Sequence, residues 1–211
     1  SRKPDGFVNV HNSTCMTMPT LGWATSYWDG EQFQNTGKGV DVAQLLPLDA
    51  FRAEFMGHQW GVPAEFLYAG KAYTFEQSWS FALLHDIPVR PLPHFYADEE
   101  DHTDEDLALT SAIWNVMDRF GRKKADWMPY WKNEDYVSVR PAGCYVSLYK
   151  HPVNGVLAVV SNQSGKSKSV SVQFDYKRLG MESGKEITDA MGGSEIPVQN
   201  GQIRLDLDYL G

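Results

Sequence analysis

The second part of the chain consists of short runs of alternating apolar and polar residues, separated by turn residues. Such runs cover Tyr136–Arg140, Cys144–His151, Gly155–Asn162, Lys168–Tyr176, Glu186–Met191 and Gln202–Tyr209. Alternation with a period of two places the apolar side chains on one face of a strand. Short strands at spacings of roughly 8–12 residues are typical of an antiparallel sandwich. The pattern therefore predicts a small β-sandwich domain over residues 133–211.

Residues 1–132 instead alternate extended and helical patterns. The extended segments are Gly6–His11, Val62–Tyr68 and Ile87–Pro91, and the helical ones are Leu48–Met56, Phe75–His85 and Asp104–Phe120. Alternation of strands and helices favours a parallel sheet. A closed (β/α) barrel needs about 250 residues, so we expect the back half of such a barrel, with an upstream barrel half of the same parent protein as its partner. A compact open α/β unit is the alternative.

The helix over Asp104–Phe120 is the most strongly marked one. Its expected buried face consists of Leu107, Ile113, Trp114, Met117 and Phe120. Thr103 and Asp106 resemble an N-terminal capping pair, and Gly121 is placed to end the helix.

Charge and apolar runs exclude several classes of partner. The net charge is −8, from 19 Lys and Arg against 27 Asp and Glu, which disfavours binding to a phosphate backbone. No run reaches the roughly 18–20 apolar residues that span a bilayer. Cys15 and Cys144 lie in different halves, so we expect no disulfide. We predict neither a nucleic-acid partner nor a membrane partner.

The segment Tyr27-Trp28-Asp29-Gly30-Glu31 is the main catalytic candidate. In an extended chain Asp29 and Glu31 project to the same side. Two carboxyl groups flanked by aromatic rings suit glycoside hydrolysis, in which one protonates the leaving group and the other acts as base or nucleophile. The alternative is an Asp-Gly turn in which Asp29 is a capping residue and Glu31 begins the next element.

Further polar and aromatic residues are candidates for binding a substrate. His11 and Asn12 follow the first strand, at the edge where α/β folds build their sites, although a lone His is more often structural. Glu65 is expected near the same cavity, whereas Glu54 is expected to face solvent. The remaining candidates share an aromatic or imidazole ring that could stack on a sugar or fill the core: Trp23, Tyr27, Trp28, His58, Trp60 and Tyr68.

The acidic run over residues 98–106 could suggest a metal site. It lacks the glycine and the ligand spacing of an EF-hand, and a solvated loop leading into an acidic helix start explains it without a metal. The sequence also has no phosphate-binding loop and no Gly-x-Ser-x-Gly elbow. We therefore expect no metal, no cofactor and no acyl-transfer chemistry.

With these motifs in hand, the chain resembles the C-terminal portion of bacterial glycoside hydrolases related to family 123. The resemblance rests on VNVHNS with SYWDGEQF, on DAFRAEFMGHQWGVPAEFL, and on the tail VLAVVSNQSGKSKSVSVQFDYKRLGM with EITDAMGG and IRLDLDYLG. It implies a barrel end followed by a β-sandwich, a carbohydrate substrate, and a secreted or periplasmic location. Family 123 enzymes are associated with N-acetylhexosaminide hydrolysis by an adjacent Asp-Glu pair. No such pair lies at the expected strand ends here.

The expected function is therefore that of a glycoside hydrolase, or of the C-terminal part of one, with Asp29 and Glu31 as catalytic carboxyl groups. Two alternatives remain open. The chain could bind carbohydrate as a non-catalytic accessory module, or it could be an inactive fragment that lacks the catalytic pair.

Overall fold

The chain forms two compact units in the computed structural model, Ser1–Asp104 and Glu105–Gly211. The structure describes residues 6–12, 18–35, 40–56, 61–67, 73–90, 104–182 and 186–211. The long helix that begins at Asp104 thus lies almost wholly in the second unit, although the sequence pattern changes only at residue 133. The domain boundaries 1–132 and 133–211 stay a prediction.

The first unit alternates strands and helices, as predicted. Its elements are β1 (Asn9–His11), α1 (Met18–Leu21), β2 (Ser26–Asp29), a 3-10 helix (Glu31–Asn35), α2 (Val42–Leu45), α3 (Leu48–Phe55), β3 (Ala64–Leu67), α4 (Phe75–Leu84) and β4 (Val89–Arg90). The strands form a four-stranded sheet in the order β1-β2-β3-β4, and every pair is parallel. The chain order equals the spatial order, so each connection leads to the neighbouring strand.

One face of this sheet is apolar and covered by aromatic side chains of the helices. Phe66 on β3 lies 5.0 Å, between ring centroids, from both Phe51 and Phe55 of α3. Phe51 also stacks on Phe81 of α4, at 5.7 Å. All four rings are fully buried. The apolar residues at helical spacing in α3 and α4 therefore form the core of this unit.

Local sequence explains where α4 begins. Thr74 accepts a hydrogen bond from the backbone N–H of Gln77, and the Gln77 side chain accepts one from the backbone N–H of Thr74. This reciprocal capping box satisfies two backbone donors that the first turn of a helix leaves without partners.

The second unit contains α5 (Asp104–Phe120) and then β-structure. A 3-10 helix (Arg122–Lys124) leads to β5 (Asp126–Met128), β6 (Val137–Arg140), β7 (Cys144–His151), β8 (Gly155–Asn162), β9 (Lys168–Phe174), α6 (Tyr176–Leu179), β10 (Ile187–Thr188), β11 (Glu195–Ile196) and β12 (Gln202–Leu207). The three-stranded sheets β12-β9-β6 and β5-β7-β8 are antiparallel, and β10 pairs with β11.

The two larger sheets share one hydrophobic core, as expected for a sandwich. Its buried members come from both sheets and from the short helix α6: Val137, Cys144, Val146, Leu148, Val170, Val172, Phe174, Tyr176, Leu179 and Ile203. Alternate residues of each strand point into this core because the side-chain period of a strand is two. Cys144 is buried there, and Cys15 lies outside the described residues.

The buried face of α5 differs from the expected one. Ile113 and Met117 are buried as predicted, together with Thr110. Leu107 and Trp114, however, are 47% and 52% exposed, so placing them on the buried face was wrong. The buried stripe follows Thr110, Ile113 and Met117, at spacings of three and four, on another side of the helix. Thr103 lies outside the described residues.

The fold class is therefore mixed α/β with several antiparallel sheets, as the sequence predicted at that level. Among the described helices, none is both long and apolar enough to cross a membrane.

Candidate functional site

The second face of the parallel sheet is polar. The strand register aligns His11, Trp28 and Glu65 in one row across β1, β2 and β3. Because alternate residues share a face, and because Leu67 is aligned with Arg90, the polar set on this face is Asn9, His11, Ser26, Trp28, Glu65 and Arg90. We call this set the polar face. The side chains of His11, Glu65 and Arg90 are 29%, 28% and 37% exposed, so solvent reaches them.

Glu65 is held by two other members of the polar face. Its Oε2 lies 3.0 Å from Nη1 of Arg90 and forms a hydrogen-bonded ion pair with it. Its Oε1 accepts a longer hydrogen bond, of 3.3 Å, from Nδ2 of Asn9. Asn9 Nδ2 also donates to Ser26 Oγ at 2.7 Å. Arg90 and Asn9, the latter held in turn by Ser26, thus fix one carboxylate above the middle of the sheet.

His11 and Glu31 form a second pair at the carboxyl edge of the sheet. His11 Nε2 lies 3.1 Å from Oε2 of Glu31, although the angle is too bent for a hydrogen bond. The His11 ring stacks on Trp28 with a centroid distance of 3.6 Å and an interplanar angle of 5°. Arg90 Cζ lies 4.8 Å from the centroid of the same indole. Contacts between a cation and an aromatic face stabilise by about 0.5–2 kcal/mol.

Asp29 does not share a side with Glu31, so the expectation of two carboxyl groups projecting together was wrong. Asp29 is the last residue of β2 and is aligned with Phe66, on the apolar face. Gly30, with φ of 128°, then turns the chain, and Glu31 begins the 3-10 helix. The strand geometry that would have aligned the two residues ends between them.

The Asp29 carboxyl is almost inaccessible to solvent, with 1% of the residue exposed. Its Oδ1 accepts a 2.7 Å hydrogen bond from the backbone N–H of Gly30, and its Oδ2 has no hydrogen-bond partner among the described residues. Burial raises the pKa of Asp29 to about 6, and the negative charge of Glu54 adds to the effect. Asp29 is therefore a buried acid on the helix side of the sheet.

Tyr27 and Glu54 lie on that same side. The Tyr27 hydroxyl donates to the backbone carbonyl of Glu54 at 3.0 Å, and Tyr27 is fully buried. Desolvation raises the pKa of the Tyr27 phenol and of the Glu54 carboxyl. The expectation that Glu54 faces solvent was wrong, since the Glu54 carboxyl is partly buried. Tyr27 fills the core in this structure.

The other predicted binding residues are dispersed. Asn12 follows His11 directly, is 9% exposed, and donates its backbone N–H to the carbonyl of Trp28 at 3.2 Å. Trp23 precedes the amino end of β2, at the edge of the sheet opposite to His11, and is 65% exposed. The described residues do not include His58, Trp60 or Tyr68.

Sequence reasoning missed Asn9 and Arg90. Both lie on strands of only two or three residues, too short for a clear alternation of polar and apolar residues. Neighbouring strands each have polar residues at every second position, which could have indicated a shared polar face. Such a pattern can be recognised only once the strand register is known.

The described residues contain no group of three or more His, Cys, Asp or Glu side chains that could hold a metal ion. The charged groups of the polar face are instead paired with one another. Such an arrangement can transfer protons and accept hydrogen bonds from hydroxyl groups.

Comparison with known families finds a match over part of the second unit. Residues 109–198 match the family model described as the C-terminal domain of glycoside hydrolase 123. The match begins inside α5 and ends between β11 and β12. No curated protein matches the chain. The resemblance stated from the sequence is thereby confirmed for this C-terminal portion.

Proposed function

We propose, from the presence of a glycoside hydrolase 123 C-terminal domain over residues 109–198, that this chain takes part in cleaving glycosidic bonds and that its polar face contacts the carbohydrate. One observation supports this site above all. Glu31 and Glu65 each lie about 3 Å from a basic side chain, His11 and Arg90 respectively, on the solvent-accessible face of a parallel sheet.

The two carboxyl groups have different surroundings, which suits different roles. Glycoside hydrolysis needs one carboxyl to protonate the leaving oxygen and another, charged, to act as base or nucleophile. Glu31 Oε2 lies 3.1 Å from Nε2 of His11, and an imidazole nitrogen can either donate or accept a proton, so we assign proton transfer to this pair. Glu65 accepts from Arg90, whose guanidinium is permanently charged, so we assign the charged role to Glu65.

Asp29 is left out of this mechanism, although the sequence favoured it. A reacting carboxyl must come within about 2.6–3.2 Å of the group to which it transfers a proton. Asp29 is 1% exposed and lies on the apolar face, opposite to the face that carries Glu65. We assign it a structural role at the end of β2.

The architecture proposed for the first unit is the end of a (β/α)-barrel-like domain. In such barrels the helices cover the outside of a parallel sheet and the active site lies at the carboxyl ends of the strands. The apolar face that packs on α3 and α4, and the polar face that ends in His11 and Glu31, agree with this arrangement. The secreted or periplasmic location inferred from the sequence remains a proposal that rests on the family resemblance.

The test is hydrolysis of a panel of aryl glycosides, including N-acetylhexosaminides, by the whole chain. We expect Glu31→Gln and Glu65→Gln to lower kcat/KM by about 10²- to 10⁴-fold, the usual contribution of general acid–base groups. Asp29→Asn is the matched control, since it neutralises a carboxyl on the other face and should change kcat/KM by less than about threefold on that scale.

Three results would count against the proposal. Unchanged rates in both glutamine variants would remove these carboxyl groups from the mechanism. Loss of activity in Asp29→Asn alone would place the reaction on the opposite face. Binding of glycans without turnover of any glycoside would favour the alternative of a non-catalytic accessory module.

A further inference from the structure

Trp28 was expected to offer its ring to a sugar, but its ring is already in contact with two side chains of the protein. The His11 imidazole lies parallel to the indole at 3.6 Å, the distance of close ring stacking. Arg90 Cζ lies over the same ring, 4.8 Å from its centroid. His11 is on β1 and Arg90 on β4, and these strands lie on opposite sides of β2. The two groups therefore flank the indole.

The two flanking groups are also the ones that contact the carboxyl groups of Glu31 and Glu65. His11 Nε2 is 3.1 Å from Glu31, and Arg90 Nη1 is 3.0 Å from Glu65. The contacts thus form a chain from the Glu31 carboxylate to the His11 imidazole, the Trp28 indole, the Arg90 guanidinium and the Glu65 carboxylate. A planar indole in contact with a planar imidazole and a planar guanidinium restricts the rotamers of both, because each keeps its contact only when its plane faces the ring.

We propose that Trp28 is a positioning residue: its indole holds His11 against Glu31 and Arg90 against Glu65, and it does not serve as a stacking surface for the sugar. This inference rests on the proposed function in naming Glu31 and Glu65 as the reacting groups. The contacts themselves do not depend on it. The substrate would meet the polar ends of these side chains and the edge of the indole, since the ring already packs against His11 and Arg90.

The first arm of the test measures the positions of the two flanking groups without any substrate. In isotope-labelled protein, nuclear Overhauser effects between the His11 ring protons and the Glu31 side chain, and between the Arg90 Nε–H proton and the Glu65 side chain, report the two contacts. We expect Trp28→Leu to weaken both sets of signals and Trp28→Phe, which retains a flat ring, to weaken them less. The matched control is Trp23→Leu, which removes an exposed indole at the other end of the sheet and should leave both unchanged.

The second arm separates positioning from sugar binding by kinetics. We expect Trp28→Leu to lower kcat by about 10- to 100-fold with little change in KM, since misplacing reacting groups by about 1 Å has an effect of this size. Trp28→Phe should recover part of the loss. A variant that removed a sugar-stacking ring would instead raise KM and leave kcat nearly unchanged.

Each arm can overturn the inference. Unchanged His11 and Arg90 signals in Trp28→Leu would show that the indole does not position them, and a rise in KM alone would show that it contacts the sugar. If Trp28→Leu does not fold, Trp28→Phe and Trp28→His replace it in the same comparisons. If the unaltered chain hydrolyses no glycoside, the proposed function fails, and the first arm still decides whether Trp28 positions the two pairs.

Discussion

Burial of the Asp29 carboxyl makes the stability of the fold depend on pH. Its pKa is about 6 in the folded chain against the ordinary value of 3.8, so between these two pH values the folded state retains a proton that the unfolded state loses. The resulting stability is complete below pH 3.8 and is lost as the pH rises through about 6. At higher pH the cost is about 3 kcal/mol, since one pKa unit corresponds to about 1.4 kcal/mol.

The variant Asp29→Asn tests this pH dependence, because asparagine has nearly the shape of aspartate but does not ionise. The difference in unfolding free energy between the variant and the unaltered chain should grow in favour of the variant by up to about 3 kcal/mol between pH 4 and pH 6. Above pH 6 this difference should stay constant. Urea denaturation at several pH values measures the difference. A difference that does not change with pH would mean that the Asp29 carboxyl titrates normally and is not desolvated.

Asn162 is the most heavily hydrogen-bonded side chain described in the second unit. Its Nδ2 donates to the carbonyls of Lys166, Leu207 and Asp208, and its Oδ1 accepts from the backbone N–H and the hydroxyl of Ser164. Asn162 is fully buried. Its amide therefore joins the β8–β9 turn to the end of β12.

Replacing Asn162 by Ala should lower the free energy of unfolding by about 3 kcal/mol, because buried polar groups that lose a partner cost about 1–3 kcal/mol each. The control Ser138→Ala, at an exposed position of β6, should change it by less than about 0.5 kcal/mol. Equal effects of the two substitutions in chemical denaturation would contradict the role given to Asn162.

At the scale of residues, the sequence indicated which kinds of side chain form the site but not the direction in which each side chain projects. His11 and Glu31 were both candidates, and they do lie in contact. The side to which Asp29 projects could not be predicted, because it depends on where β2 ends. Arg90 and Asn9 escaped notice since only the strand register places them beside Glu65.

At the scale of elements, the turn after β2 is the point where geometry is most restrictive. A Cβ atom on Gly30 would lie 2.2 Å from the carbonyl oxygen of Leu67, and the φ of Gly30 is 128°. Both the packing of β2 against β3 and the backbone conformation therefore require glycine there. The 3-10 helix that presents Glu31 starts from this turn.

The pair of variants Gly30→Ala and Gly61→Ala separates packing from backbone strain. Gly61 has φ of 71° and open space around its Cβ position, so its substitution should cost about 1–2 kcal/mol. Gly30→Ala adds a steric clash and should cost about 4 kcal/mol or prevent folding. Similar denaturation midpoints for the two variants would show that β2 and β3 are less closely packed at this end.

Elements with a clear period were predictable from the sequence, whereas short ones were not. Strands β7 and β8 have the predicted bounds, Cys144–His151 and Gly155–Asn162, because eight alternating residues define a phase. Strand β5, Asp126–Met128, has three residues, and its pairing with β7 leaves no periodic signal in its own sequence. The buried face of α5 was predicted wrongly because Leu107 and Trp114 are apolar, and apolar residues were assigned to that face, although both are exposed.

At the scale of the whole molecule, the second unit has a core of its own and a family match that starts within α5. We expect residues 105–211, expressed alone, to unfold in one cooperative transition, as small domains usually do. A segment that starts at residue 133 lacks α5 and β5 and should be less stable. Thermal unfolding followed by circular dichroism compares the two. Equal stability would favour a domain boundary at residue 133.

The general layout of the chain, strand–helix alternation followed by an antiparallel sandwich, could be predicted because both patterns depend on local periodicity. The pairing of Glu65 with Arg90 and of His11 with Glu31 could not, because it requires strands far apart in sequence to lie in register. The proposed site is built from those long-range pairs, so its chemistry only became apparent from the fold.

The most direct test of the polar face as the carbohydrate site is a crystal structure of the chain with a slowly hydrolysed glycoside. We predict the sugar against His11, Glu31 and Glu65, with the two carboxyl groups on either side of the glycosidic oxygen. A separation of about 5–5.5 Å between them would indicate retention of configuration, and one of about 6.5–9.5 Å inversion. A sugar bound beside Trp23, or on the sandwich with the polar face empty, would contradict the proposal.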